Sequence, residues 1–116
     1  MLIKLPDEID FFSFFSCDPN RDEYDELTLS YGITDENCNR LEFSFNEATR
    51  TVCTTVFKGN QVLENVFVEG LVRIYFLDKG ERKCLIAECK KADYLFKLEL
   101  YVEPCIQINW SGQEAS

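Results

Sequence analysis

The sequence predicts a mainly β (α+β) domain: an antiparallel meander of about eight short strands, folded as a two-layer sandwich or a strongly curved sheet, behind one short N-terminal helix. Three observations carry this reading. From residue 26 onward, apolar and polar residues alternate at period two. The alternating stretches are short and separated by tight polar turns. No strand–helix–strand unit interrupts them, which argues against a parallel nucleotide-binding sheet. The 116 residues are 46% hydrophobic and 14% aromatic, enough apolar material for one core, and they are read as a single domain, 1–116.

The helix comes first, over residues 5–16 ("LPDEIDFFSFFS"). Pro6 and Asp7 suit a helix start, and Glu8 and Asp10 place negative charge in the first turn, where the helix dipole favours it. Ile9, Phe12 and Phe15 recur every three residues, and Phe11 and Phe14 widen the arc. Such a stripe is expected to cap the open face of a sheet, with one or two rings left exposed as the sharper alternative. The strands follow. "LTLSYGI" alternates on Leu27, Leu29, Tyr31 and Ile33, and "LEFSF" on Leu41, Phe43 and Phe45, with the polar turn "TDENCN" between them. "TVCTTVF" is rich in β-branched residues and ends at a hairpin turn with Gly59 and Asn60. "VLENVFV" and "LVRIYFL" are separated by Gly70, read as a break or bulge. After "DKGE" comes "RKCLIAEC", then the "KKAD" turn. "YLFKLELYV" alternates on Tyr94, Phe96, Leu98, Leu100 and Val102, and after Pro104 "CIQINW" alternates on Ile106, Ile108 and Trp110.

Charge and cysteines bound the function. The net charge is −9, and residues 1–47 carry all of it: twelve acids stand there against Lys4, Arg21 and Arg40, whereas the rest holds nine acids and nine bases. A nucleic-acid binder or an anionic-membrane binder would show the opposite sign. No apolar run approaches the ~20 residues of a membrane span, and "MLIKLPDEID" has acids where a signal peptide is apolar, so a cytoplasmic protein is expected. The six cysteines, at 17, 38, 53, 84, 89 and 105, include no C-x-x-C pair, and the chain has no histidine, which excludes a mixed Cys/His zinc site. They are read as free thiols.

The densest acidic stretch is "SCDPNRDEYDELTL", residues 16–29. As a calcium loop it offers Asp18, Asn20 and Asp22 at the first three ligand positions, but Glu23 replaces the sixth-position glycine and Leu29 the twelfth-position glutamate. As a glycosidase pair its carboxylates are too exposed to serve as a proton donor at neutral pH. Cys–His and Ser–His nucleophiles are excluded by the missing histidine, and the five glycines are scattered rather than gathered into a phosphate loop. No catalytic set, metal or cofactor is expected. What remains is binding: acids to steer a basic partner, and Tyr24 among them as an anchor. The candidate partner-binding residues are Asp18, Asp22, Glu23, Tyr24, Asp25, Glu26, and Asp35 and Glu36 of the next loop.

The Phe-rich opening helix "DFFSFF", the acidic loop, the run of β-hairpins and the closing strand pair "LELYVEPCIQINW" resemble the small all-β immunity proteins of bacterial polymorphic-toxin and contact-dependent growth-inhibition systems. The resemblance spans nearly the whole chain and is one of layout, size and charge. It implies a cytoplasmic monomer that binds a cognate toxin domain in a 1:1 complex. The toxin would be a basic protein, an RNase or DNase, because nucleases carry bases to hold phosphate. Two other readings compete: a phage-encoded inhibitor of a host nuclease, and a small-ligand or carbohydrate-binding β-sandwich using Tyr94, Phe96, Tyr101 and Trp110.

Overall fold

The computed structural model describes residues 3–21 and 27–114. One helix, α1 (Glu8–Phe15), precedes nine strands: β1 (Asn20–Arg21), β2 (Thr28–Thr34), β3 (Asn39–Asn46), β4 (Thr51–Lys58), β5 (Gln61–Glu69), β6 (Leu71–Lys79), β7 (Arg82–Lys91), β8 (Tyr94–Tyr101) and β9 (Gln107–Glu114). They form two antiparallel sheets, ordered β1-β2-β3-β4-β5 and β6-β7-β8-β9, so every strand pairs with its neighbour in sequence except at the β5–β6 junction. The eight predicted strands are present, and β1 adds a ninth of only two residues, paired with Leu29 and Ser30.

Period two sets which residues meet. Tyr31, Leu41, Phe43, Phe45 and Val52 of the first sheet, and Leu71, Ile74, Leu85, Ala87, Leu98 and Leu100 of the second, form one buried cluster between the layers. Trp110 of β9 stitches the layers together, its indole N–H donating to Thr54 Oγ1 at 3.1 Å. Leu27 does not join this face: it lies exposed in the turn before β2. Tyr94 is exposed too, at the first position of β8, stacked on Phe96 with centroids 6.2 Å apart.

Gly70 is the break between β5 and β6, and it is the corner at which the chain changes sheets. Its φ is +89°, and a Cβ there would lie 2.2 Å from the Lys90 carbonyl oxygen, so only glycine fits. The corner is held by backbone bonds from the Gly70 and Leu71 N–H groups to Arg50 O (2.8 and 3.0 Å) and from Lys90 N–H to Gly70 O (2.8 Å). The bulges lie elsewhere, at Val56/Phe57 and Leu71/Arg73.

The helix is shorter than the 5–16 predicted. Asp7 is its extended N-cap residue, and Ser16 ends it in the left-handed region (φ 59°), donating its N–H to Phe12 O at 2.7 Å. Ahead of it, Lys4 bridges to β6 through Lys4 N–H to Val72 O and Ile74 N–H to Lys4 O. The helix wedges between both sheets. Phe11 and Phe15 stack on Tyr31 at 5.5 and 4.7 Å, Phe15 on Phe43 at 5.6 Å, and Phe14 meets Phe76 of β6 at 5.1 Å. Phe11, Phe14 and Phe15 are buried, whereas Phe12 remains 47% and Ile9 71% exposed. Among the described residues no helix is long and apolar enough to cross a membrane.

Candidate functional site

In a meander, alternate turns emerge at the same end. The β2–β3, β6–β7 and β8–β9 connections therefore share one end of the sandwich, and each carries acid. Asp35 and Glu36 lie in the first, Glu81 in the second and Glu103 in the third. With Phe14 and Phe15 at the end of α1, they border a cleft of about 650 Å³.

Asp35 builds one wall of this cleft. Its Oδ1 accepts from the N–H groups of Asn37 and Asn39, both at 2.9 Å, and closes the β2–β3 turn on itself. Its Oδ2 accepts from Ile106 N–H at 3.0 Å, fastening that turn to the segment entering β9. These donors, the Ile106 N–H foremost, hold the Asp35 carboxyl below the usual aspartate range. Glu36, Glu81 and Glu103 are exposed around the opening, and no ion pair forms on them among the described residues. Arg82 is the base of the cleft and is held from several sides. Its guanidinium lies 4.2 Å over the Tyr101 ring, Nε donates to Glu103 O at 3.2 Å and Nη1 to Gln107 Oε1 at 3.0 Å. The opening is thus an acidic rim, with Arg82 among its lining, around a partly aromatic floor.

Asp18 lies exposed just beyond α1, after Cys17, whose thiol faces Gly32 O at 3.7 Å. Asp22, Glu23, Tyr24, Asp25 and Glu26 lie outside the described residues. The chain on either side is anchored: Arg21 pairs with Leu29 and forms a salt bridge to Glu8, and Thr28 pairs with Asn46 at the far end of β3. The structure thus brings Asp35 and Glu36 together and adds Glu81 and Glu103, which the sequence reading did not select. The signal was available in principle, since turn parity puts all three loops at one end.

The outer face of the second sheet behaves differently. Arg73 grips Glu88 with two hydrogen bonds, 2.6 and 2.9 Å, and stacks 4.6 Å over Tyr75, whose hydroxyl also donates to Glu88 at 3.2 Å. Lys79 reaches Glu99 at 3.3 Å. Arg73 holds the Glu88 carboxyl below the usual glutamate range. Here bases and acids face one another across strands, whereas Glu36, Glu81 and Glu103 at the rim are exposed. The four aromatics of the sugar-platform reading do not share an exposed face: Tyr101 is buried, Trp110 is turned toward Thr54, and Tyr94 and Phe96 stand alone.

All six cysteines are unpaired, with Cys84 and Cys89 buried and Cys38 exposed. Burial pushes the Cys89 thiol up to about 12. No group of three or more Cys, Asp or Glu side chains among the described residues is arranged to hold a metal ion.

No family model matches the chain, and no curated protein matches its sequence. Its fold does have a counterpart. A chain of the contact-dependent growth inhibition toxin–immunity protein complex from Klebsiella pneumoniae 342 superposes with a TM-score of 0.88, covering 97% of this chain and 98% of that one, at 19% sequence identity. At that identity the likeness establishes a shared fold, from the first helix to the last strand.

Proposed function

We propose that this chain is an immunity protein, which binds a cognate toxin domain and neutralises it by covering its active or substrate-binding surface. The observation that carries this reading is the end-to-end likeness to a chain of a toxin–immunity complex. That complex has two kinds of member, and charge favours the immunity role for this chain. A nuclease toxin needs bases to hold phosphate, and this chain has a net charge of −9 and no histidine. It suits the opposite role, an acidic surface that occupies a basic nucleic-acid site. The acids at 18, 22, 23, 25 and 26, with the cleft rim at 35, 36, 81 and 103, would steer the toxin, and Tyr24 would anchor it. On this reading the protein is not an enzyme, needs no cofactor, and acts as a cytoplasmic monomer in a 1:1 complex.

The test is co-expression with the domain encoded by the gene directly upstream. Expression of that domain alone should arrest growth, and this chain should restore it and bind the purified domain in a 1:1 complex. A toxic upstream domain that this chain neither binds nor neutralises would refute the proposal.

A further inference from the structure

Every open sheet raises the question of what its edges meet, because an edge strand leaves half its backbone N–H and C=O groups without a partner strand. Three of the four edges here are blunted. β1 is two residues long, the start of β6 is bridged by Lys4, and β9 presents the exposed polar residues Gln107, Asn109 and Gln113. β5 is the exception. β4 pairs with one of its sides from Gln61 to Glu69, and among the described residues no strand takes the other. It carries no proline or lysine, and its guards are two glutamates, Glu64 and Glu69, and one bulge at Leu63. Val62, Leu63 and Phe67 are 53, 54 and 58% exposed, a concentration of apolar surface along one strand.

The ground beside this edge is shaped on both faces of the sheet. On the outer face Phe67 stands in register with Cys53 and borders a hollow of about 350 Å³ that reaches Ser44. On the inner face, at the Val56/Phe57 bulge, Leu63 borders a hollow of about 300 Å³ with Val56, Ile106 and Ile108. A strand laid beside β5 would send successive side chains to opposite faces, those on the inner face toward the hollow at Leu63 and those on the outer face past Phe67.

We infer that β5 is a docking edge, to which the protein partner adds an extended segment of its own as a further strand of the first sheet. The inference rests on the immunity reading and specifies how the toxin is held. Backbone bonds would supply affinity and alternate apolar side chains specificity. The occupant is a basic protein rather than a second copy of this chain. The chain as a whole carries a net charge of −9, with Glu64 and Glu69 on β5 itself, Glu69 paired with Lys91. Two copies of so acidic a chain repel one another, whereas a basic partner is attracted.

Amide hydrogen exchange tests this, with the purified domain encoded directly upstream as the probe. In the free protein the outward amides of residues 61–69 should exchange rapidly, and in the complex they should slow by at least tenfold. A complex in which β5 stays unprotected, with protection confined to the cleft loops, overturns the edge and leaves the immunity reading standing. Absence of any complex overturns both. Protection that rises with protein concentration without the probe assigns β5 to a second copy and also overturns the inference. As a second measurement, the double variant Val62→Lys/Phe67→Lys should keep the parent melting temperature and bind at least tenfold more weakly. Unchanged affinity in that variant counts against β5.

Discussion

Asp35 shows how one side chain can organise a site by holding two backbone segments together. Its two oxygens take three backbone N–H groups from two separate segments, so the β2–β3 turn and the β8–β9 connection cannot move apart without exposing unpaired donors. Asp35→Ala is expected to destabilise the fold by ~1–3 kcal/mol and to loosen the cleft mouth. The pH dependence has a definite sign. The folded-state pKa is depressed, so the ionised carboxylate stabilises the fold fully above its unfolded value of ~3.9 and progressively less as pH falls through the lower folded value. Urea unfolding of parent and variant should therefore differ by a constant amount from pH 7 to pH 5, with the gap narrowing below pH 4. An equal gap at pH 3 would show that the carboxylate charge is irrelevant to the turn. Gly70 is the second residue on which the architecture depends. Gly70→Ala forces a Cβ against the Lys90 carbonyl at a positive φ, and a loss of more than ~2 kcal/mol is expected in the same assay.

At the scale of elements, α1 is the piece whose role the sequence left divided, and packing resolves it. Phe11, Phe14 and Phe15 lie between the sheets, while Phe12 and Ile9 point outward, so the helix is at once a core wedge and a source of exposed apolar surface. Phe11→Ala should cost ~3–5 kcal/mol in chemical denaturation, and Phe12→Ala under ~1 kcal/mol. Comparable losses would mean that the helix is rotated from the position described. The strands were legible because a half-buried sheet writes period two into its sequence: Leu41/Phe43/Phe45 and Phe96/Leu98/Leu100 were assigned to the inner face from alternation alone. What alternation does not encode is where a chain turns a corner. The sequence marks Gly70 as a break or bulge but not as a sheet corner, because that requirement comes from Lys90, twenty residues away. The cleft was half legible for the same reason. Asp35 and Glu36 stand out in an acidic region, whereas turn parity places Glu81 and Glu103 at the same end and the bond from Ile106 N–H to Asp35 fastens the turns there.

Over the whole molecule, charge is divided as the layers are. The second sheet balances its acids with bases through the Arg73–Glu88 and Lys79–Glu99 pairs, whereas residues 1–47 hold twelve acids against three bases. Such an asymmetry gives the molecule an electrostatically distinct side, and a field of that kind acts on association over roughly a Debye length, ~8–10 Å at physiological salt. Acids at the margin of an interface chiefly raise the on-rate, while a buried aromatic anchor slows dissociation. These roles separate in kinetics. Converting Asp22, Glu23, Asp25 and Glu26 to their amides should slow association with the upstream-encoded domain and flatten its dependence on ionic strength, with the dissociation rate little changed and the fold intact by circular dichroism. Glu36→Gln, Glu81→Gln and Glu103→Gln together should raise the dissociation rate as well, if the cleft encloses a cationic side chain of the toxin. Tyr24→Ala should raise the dissociation rate while leaving the salt dependence of association as it is in the parent. A stopped-flow series from 50 to 500 mM salt, on the order of the range over which screening becomes strong, distinguishes these outcomes. If the amide variant associates as fast as the parent at low salt, the N-terminal acids only keep the protein soluble, and recognition must rest on the cleft and the β5 edge.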